Sequence, residues 1–524
     1  MNNLTQKNYN SFQAFEQVIL PLNLGILISE DDSVRLLSQI VDNVSVRGFA
    51  AGRNTRRSVR TMLKLLIYGY MNNTYSSRRI ETLCRRDINF MWLLNGEAPP
   101  DHNTIARFRQ NFSKEIGDVF NQVTKILAEN GEIDFENVFI DGTKIEANAN
   151  RYSFVWKGTN DKLREKLFAK IEAYAKQISL RYGAEVKLDR QTATKTLEDL
   201  LSFLEQLMQF YGIKKVYGKG KHKTALQKDI DVCLELLEKQ RKYNAYDAVF
   251  KNRRSFSKTD KDATFMHMKE DHMRNGQLKP GYNVQMAVNS GYIVGNTVCS
   301  DRNDVNSLVP FLKTLSEKLE KPFKNIVADS GYESEEAYAF LQENGYESYI
   351  KPQNYETRKT KAYKRQIGRK ENMTYDSVSD VYICHNGKKL LPAYNRQRKS
   401  GTEYLQNITT YVCESCKDCP FKEKCTKSKT DKQIDVSKVF NELREKSYSN
   451  VISAKGKELM LNRSIQAEGV FAVIKENFGF RKFLMRGMKN VSTEVNLLAL
   501  AYNISKFHIK HQNCRLKTHI YRIE

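Results

Sequence analysis

Short apolar runs of strand character constrain this chain most: Val138-Phe139-Ile140-Asp141-Gly142-Thr143-Lys144-Ile145, the pair 281–288 and 292–298, Asn325-Ile326-Val327-Ala328-Asp329, and Glu347-Ser348-Tyr349-Ile350. Each is rich in β-branched and aromatic residues and bounded by turn formers. Residues 281–298 carry a two-residue turn at Asn289-Ser290 leading into Gly291, the mark of a hairpin. Helical periodicity fills the intervals at about 304–319 and 334–344. The order strand, interruption, strand, strand, helix, strand, helix, strand predicts an α/β layer with a mixed sheet. The interruption, 157–250, contains three stretches with apolar positions at helical spacing between charged faces. It reads as an insertion of antiparallel helices, since a separate domain would leave the Asp141 strand without a sheet.

The sequence before residue 130 is helical. Val59, Met62, Leu63, Leu66 and Tyr70 form one stripe. A second helix is expected from Ser76 or Ser77, with Ile80, Leu83 and Cys84 inward and Arg78, Arg79, Arg85 and Arg86 outward. A third follows Pro99-Pro100, with Asp101 as N-cap, Ile105, Phe108 and Phe112 on one face, and Arg107 and Arg109 exposed. Together they predict a basic helical domain of helix-turn-helix character over 1–130. The remaining divisions expected are a first core strand in 135–156, the helical insertion 157–255, the main α/β core 256–352, a basic and Cys-rich insertion 353–435, and a helical C-terminal part 436–524. In that last part Ile465, Val470, Phe471 and Ile474 are the expected buried positions around Glu468.

Length and charge narrow the function. A chain of 524 residues exceeds what one hydrophobic core of roughly 250–300 residues supports. Its apolar runs fall far short of the ~20 residues that cross a bilayer, and the polar start lacks a signal-peptide core, so a cytosolic protein is expected. Eighty-five Lys and Arg against 61 Asp and Glu give a net charge of +24, which favours a polyanionic partner, most commonly nucleic acid. Nine Cys in that setting point to core packing or metal rather than disulfides. Cys413, Cys416, Cys419 and Cys425, with Cys384 upstream, suit a closed four-thiolate structural zinc site; an iron–sulfur cluster or unmetallated thiols are the other readings.

Three acids stand on regular elements in the order Asp141, Asp329, Glu468. Crowded carboxylates call for a cation, and the hard oxygen-seeking ion that also contacts phosphate is Mg²⁺. Any one of them alone reads first as a salt-bridged or capping acid. His267 and His272 read as structural histidines, and Trp156 as a core residue before a base-stacking one.

The flanking sequence adds a resemblance. DGTKIEANANRYSF around Asp141, residues 262–288, NIVADSGYESEEAY around Asp329, RSIQAEGVFAVIKENFGFRKFLMRGMKNV around Glu468 and the helical stretch 76–109 together resemble the DDE transposases of bacterial insertion sequences. The resemblance implies an RNase H-like mixed sheet flanked by helices, with Asp141, Asp329 and Glu468 as catalytic ligands of Mg²⁺ or Mn²⁺. It further implies Lys475 as a contact to DNA phosphate, seven residues beyond Glu468 on the same helical face. Implied partners are double-stranded transposon ends and target DNA, bound through the N-terminal helices by a homodimer at the bacterial nucleoid. One departure stands out. The family's Tyr-Arg-Glu-Lys pattern calls for Tyr and Arg where this chain has Leu461 and Ser464, leaving Arg463 as the substitute, with Glu476 and Glu494 as fallback acids. A catalytically silent DNA-binding descendant and a stand-alone nuclease of the same fold are the alternatives.

Overall fold

The computed structural model describes residues 23–49, 58–218, 222–251, 253–268, 276–319 and 321–521. The chain divides into two units, residues 1–111 and 112–524. In the first, the helices are α1 (Ser33–Asn43), α2 (Val59–Met71), α3 (Ser77–Leu83), α4 (Ile88–Leu94) and α5 (His102–Asn111). The expected stripe of α2 is buried, with Leu65, Ile67 and Tyr68 besides, so α2 is the unit's central helix. Asp101 caps α5 as expected, its Oδ1 accepting from Asn103 N at 2.9 Å and Thr104 N at 3.1 Å. The second expected helix breaks at Leu83, and Asp87 opens α4 by accepting from the N–H groups of Asn89 and Phe90. Arg109 departs from expectation: it is buried. Its guanidinium donates to Tyr75 O at 2.9 Å and lies over the Tyr70 ring, because α5 packs on α3 at this position.

The second unit begins with α6 (Ser113–Glu129), which the sequence had grouped with the N-terminal helices. It packs instead on the long helix Met488–Gln512. Next come β1 (Asn137–Glu146) and β2 (Phe154–Trp156), then α7 (Lys157–Tyr182), α8 (Ala193–Phe210) and α9 (Ala225–Phe250). These three helices enclose their own core around Ile171, Ile178, Leu197, Leu204 and Ile230. The insertion leaves and rejoins the core through the antiparallel pair of β2 with β3 (Ser255–Ser257). It departs after β2 and returns at β3.

That sheet contains β1, β4 (Thr264–His267), β5 (Leu278–Asn289), β6 (Tyr292–Cys299), β7 (Asn325–Ala328) and β8 (Glu347–Ile350). Its path runs β4-β5-β1-β7-β8, with β6 also paired to β5. β1 is antiparallel to β5 and parallel to β7, and β7 is parallel to β8. The helices α10 (Leu308–Lys318) and α11 (Glu335–Glu343) supply the crossovers that parallel strands need. This is the RNase H-like arrangement expected. The hairpin turn lies one residue later than read, at Ser290 (φ 56°) and Gly291 (φ 81°), both in the left-handed region that a two-residue loop requires. Asn503 of the Met488–Gln512 helix covers the β6 edge, accepting from Ile293 N and donating to Ile293 O, each at 2.8 Å.

Residues 353–435 hold an antiparallel sheet that the sequence did not reveal: β9 (Thr374–Asp376), β10 (Val381–Ile383), β11 (Lys389–Lys399), β12 (Leu405–Cys413) and β13 (Gln433–Val436). β11 is exposed at all but one position, so no apolar alternation marks it. The chain then runs through helices Lys438–Ile452 and Ala454–Arg463 and two π-helical turns, Ser464–Glu468 and Val473–Asn477, before Met488–Gln512. No helix of the described residues is long and apolar enough to cross a membrane.

Candidate active site

Asp141 lies inside β1 with neighbours on both sides. Its Cα is paired with Met286 of β5, and Ile140 immediately before it is paired with Ala328 of parallel β7. Asp329 follows Ala328, so the two aspartates are equivalent positions on adjacent parallel strands. Neighbouring strands lie about 4.8 Å apart and equivalent residues face the same side. Each carboxylate is anchored by the next backbone N–H: Gly142 N donates to Asp141 Oδ1 at 2.8 Å, and Ser330 N to Asp329 Oδ1 at 2.7 Å. β7 stops at Ala328 because Asp329 caps the 3₁₀ turn Ser330–Tyr332.

Glu468 approaches the same face from the C-terminal helices. Its segment packs against β1 and β5. Gln466, buried, fixes it there by accepting from Gly291 N at 2.7 Å and donating to His519 O at 3.0 Å. The Glu468 side chain itself is 53% exposed. Arg463 ties it to the strand: Nη2 lies 2.7 Å from Glu468 Oε1, and Nη1 lies 3.8 Å from Asp141 Oδ2.

The π-helical turn explains the departure from the family pattern. In an α-helix residues four apart meet, and an arginine at position 464 would face Glu468. A π-helix widens the turn to i→i+5, which brings Arg463 to that place and leaves Ser464 Oγ at 3.4 Å from the same oxygen. The same turns overturn one sequence reading based on α-helical phase: Ile465 is exposed, whereas Val470, Phe471 and Ile474 are buried as expected. Lys475, seven residues beyond Glu468, is 8% exposed.

The fallback acids serve elsewhere. Glu494 is fully buried and accepts from Leu484 N and Met485 N, while Glu476 pairs with Arg481 at 2.7 Å. Of the proposed DNA contacts, Arg78, Arg79 and Arg107 are exposed; Arg109 is a buried structural residue, and Arg463 partners the acids. His267 is exposed at the end of β4 and His272 lies outside the described residues. Trp156 is half-buried against Phe265 with the Arg302 guanidinium over its ring.

Sequence reasoning missed a polar layer behind the aspartates. Asp304 Oδ1 accepts from Asn283 Nδ2 and Gln285 Nε2, each at 2.7 Å, and Gln285 Oε1 accepts from the Tyr332 hydroxyl. Burial, followed by the carboxylates of Asp304, Asp141 and Asp329, holds the Tyr332 hydroxyl far above the usual tyrosine range. Asn283 and Gln285, two amides spaced by two in an apolar strand, were the one legible sign of this layer.

In the Cys-rich sheet, Cys413 and Cys416 are buried in the core with Tyr382, Leu390 and Tyr411, and Cys384 packs against them. Lys432 N donates to Cys416 Sγ at 3.2 Å. Burial pushes the Cys413 thiol up to about 12. Among the described residues no three His, Cys, Asp or Glu side chains are gathered closely enough to hold a metal ion as they stand. At the acid site, however, the guanidinium of Arg463 already occupies a cation's place between oxygens of Glu468 and Asp141, and all the donors are hard carboxylate oxygens. In chemical type these carboxylates suit a hard divalent cation.

Two segments match known families. Residues 22–111 match the Transposase domain (DUF772), and residues 383–508 match the Transposase DDE domain, whose members use divalent metal. Neither a curated protein nor a solved structure matches the chain. Glu468 and Lys475 fall within the second match, while Asp141 and Asp329 lie outside both. A transposase domain on each side in sequence of an RNase H-like sheet supports an insertion-sequence DDE transposase, and the DDE domain indicates a DNA-cleaving and DNA-transferring enzyme.

Proposed function

We propose that this transposase binds the terminal inverted repeats of its own element, cuts there, and joins the freed ends to target DNA, with Asp141, Asp329 and Glu468 holding Mg²⁺ or Mn²⁺. The observation that carries the reading is the placement of Asp141 and Asp329 as register neighbours on parallel strands, with Arg463 linking Glu468 to Asp141. A bound divalent cation supplies Lewis acidity at the scissile phosphate and lowers the barrier to attack by water or a 3′-hydroxyl. The chain's own residues orient the donors: Gly142 N and Ser330 N fix the two aspartates, and Arg463 holds Glu468 against the sheet. Were Arg463 to release it, the half-exposed Glu468 would be available as a third carboxylate donor beside the aspartates.

DNA is held by charge. Arg78, Arg79 and Arg107 on α3 and α5 form an exposed basic face suited to phosphates of a repeat. Lys475 reaches a phosphate only after emerging from its buried position. Paired ends imply a homodimer on DNA, and DNA as partner implies residence at the nucleoid. A structural zinc in the Cys sheet belongs to the same proposal, with Cys413, Cys416, Cys419 and Cys425 as its ligands.

The test is end cleavage with purified protein. Asp141→Ala, Asp329→Ala and Glu468→Ala are each expected to reduce Mg²⁺-dependent cleavage of the element's ends to background while gel-shift affinity stays within about twofold, because affinity rests mainly on phosphate contacts elsewhere. Full cleavage by any one of the three removes that residue from the site.

A further inference from the structure

We infer that Asp304 is a positioning residue of the acid site, an anion that backs Asp141 and Asp329 from the opposite face of the sheet and raises their hold on a divalent cation. The inference rests on the carboxylate reading above. Asp304 lies in the connection between β6 and α10 and meets β5 through Asn283 and Gln285. Gly142 stands opposite Gln285 in the β1–β5 register, one residue from Asp141. Alternation along the strand puts Gln285 and Asp304 on the face opposite the Asp141 carboxylate.

Gly142 is what permits this approach. A Cβ there would lie 2.5 Å from Gln285 Nε2, 2.9 Å from Gln285 Oε1 and 3.0 Å from Asp304 Oδ1. On the other side, a Cβ at Gly331, two residues after Asp329, would lie 3.4 Å from Asp304 Oδ2. Asp304 is thus wedged between the backbone following each aspartate. Gln285, held by Asp304, receives the hydroxyl of Tyr332, which fixes the turn that Asp329 caps. Asp304 therefore acts on the pair in two ways: through geometry, by way of Gln285 and Tyr332, and through its charge, felt across a half-buried layer where screening is weak.

The two can be separated. Asp304→Asn keeps the acceptor oxygen for Asn283 and Gln285 and removes the charge; Asp304→Ala removes both. Mn²⁺ binding to the DNA-free full-length protein is read from the free-ion signal in electron paramagnetic resonance, with thermal melting as a check on folding. Asp304→Asn is expected to weaken Mn²⁺ about tenfold with an unchanged melting curve. Asp304→Ala is expected to weaken it at least as much. Wild-type affinity in Asp304→Asn, whatever Asp304→Ala does, reduces Asp304 to a structural acceptor and overturns the inference. Asp329→Ala is the control. If it leaves Mn²⁺ binding intact, the carboxylate reading itself fails; if it abolishes binding while Asp304→Asn is silent, only the present inference fails.

Discussion

Arg463 is the residue on which the acid site balances. With 8% of its side chain exposed, it faces Asp141 and Glu468 at once, and its buried Nε has no hydrogen-bond partner among the described residues. Removing it leaves like charges facing each other. Because Glu468 is half-exposed and the Asp141 contact is long, the loss is closer to a partly screened pair than to a buried one, about 1–2 kcal/mol. Arg463→Ala should therefore melt earlier than wild type in EDTA and recover most of the difference in millimolar Mg²⁺, since a ligand bound only by the folded state stabilises it. A melting deficit indifferent to Mg²⁺ would mean that the guanidinium is not standing in a cation's place. How much of the site could be read from residues alone follows from this case. Asp141 and Asp329 were legible because an acid in an apolar run is conspicuous. Asp304 was not, because it sits in the polar segment Asp301-Arg302-Asn303-Asp304, where an acid is ordinary.

At the scale of elements, apolar patterning gave the right strands and helices wherever a segment is buried on at least one face: β1 and β5 to β8, several of them buried on both, and the three insertion helices. It failed where helical phase changes or where a strand has no buried face, as at the two π-helical turns and β11. It failed too on which helices pack together. α6 belongs to the second unit because Glu132, just beyond it, meets Lys510 of the Met488–Gln512 helix at 2.7 Å, both almost fully buried. Burial pushes the Glu132 carboxyl upward, but the Lys510 ammonium, Lys517 N–H and Tyr292 hydroxyl outweigh it and hold it below its ordinary 4.5. A carboxyl lowered on folding contributes stability above its unfolded value, and that contribution disappears as pH falls through the lower folded value. Glu132→Gln should be less stable than wild type at pH 7, by about 3–5 kcal/mol for a buried charge left unpaired. The gap should narrow below pH 4.5; a constant gap in acid titrations followed by circular dichroism would assign Glu132 a purely steric role.

For the whole molecule, one measurement decides the proposed zinc. Cys413 and Cys416 lie in the core of the Cys-rich sheet with Cys384 packed against it, a place that suits core thiols and zinc ligands alike, so composition distinguishes the cases. Elemental analysis of freshly purified protein is expected to find about one zinc per chain. Neither zinc nor iron would make these cysteines plain core residues.

The carboxylates come from parts of the chain made at very different times. Asp141 and Glu468 are separated by more than three hundred residues, and between them run the helical insertion, the sheet and the Cys-rich module. At translation rates of roughly 5–20 residues per second, the first aspartate waits on the order of half a minute for its glutamate. On the function proposed above, the growing chain would during that interval carry its N-terminal basic helices without the third acid of the cutting centre, so it would engage DNA before it could break it.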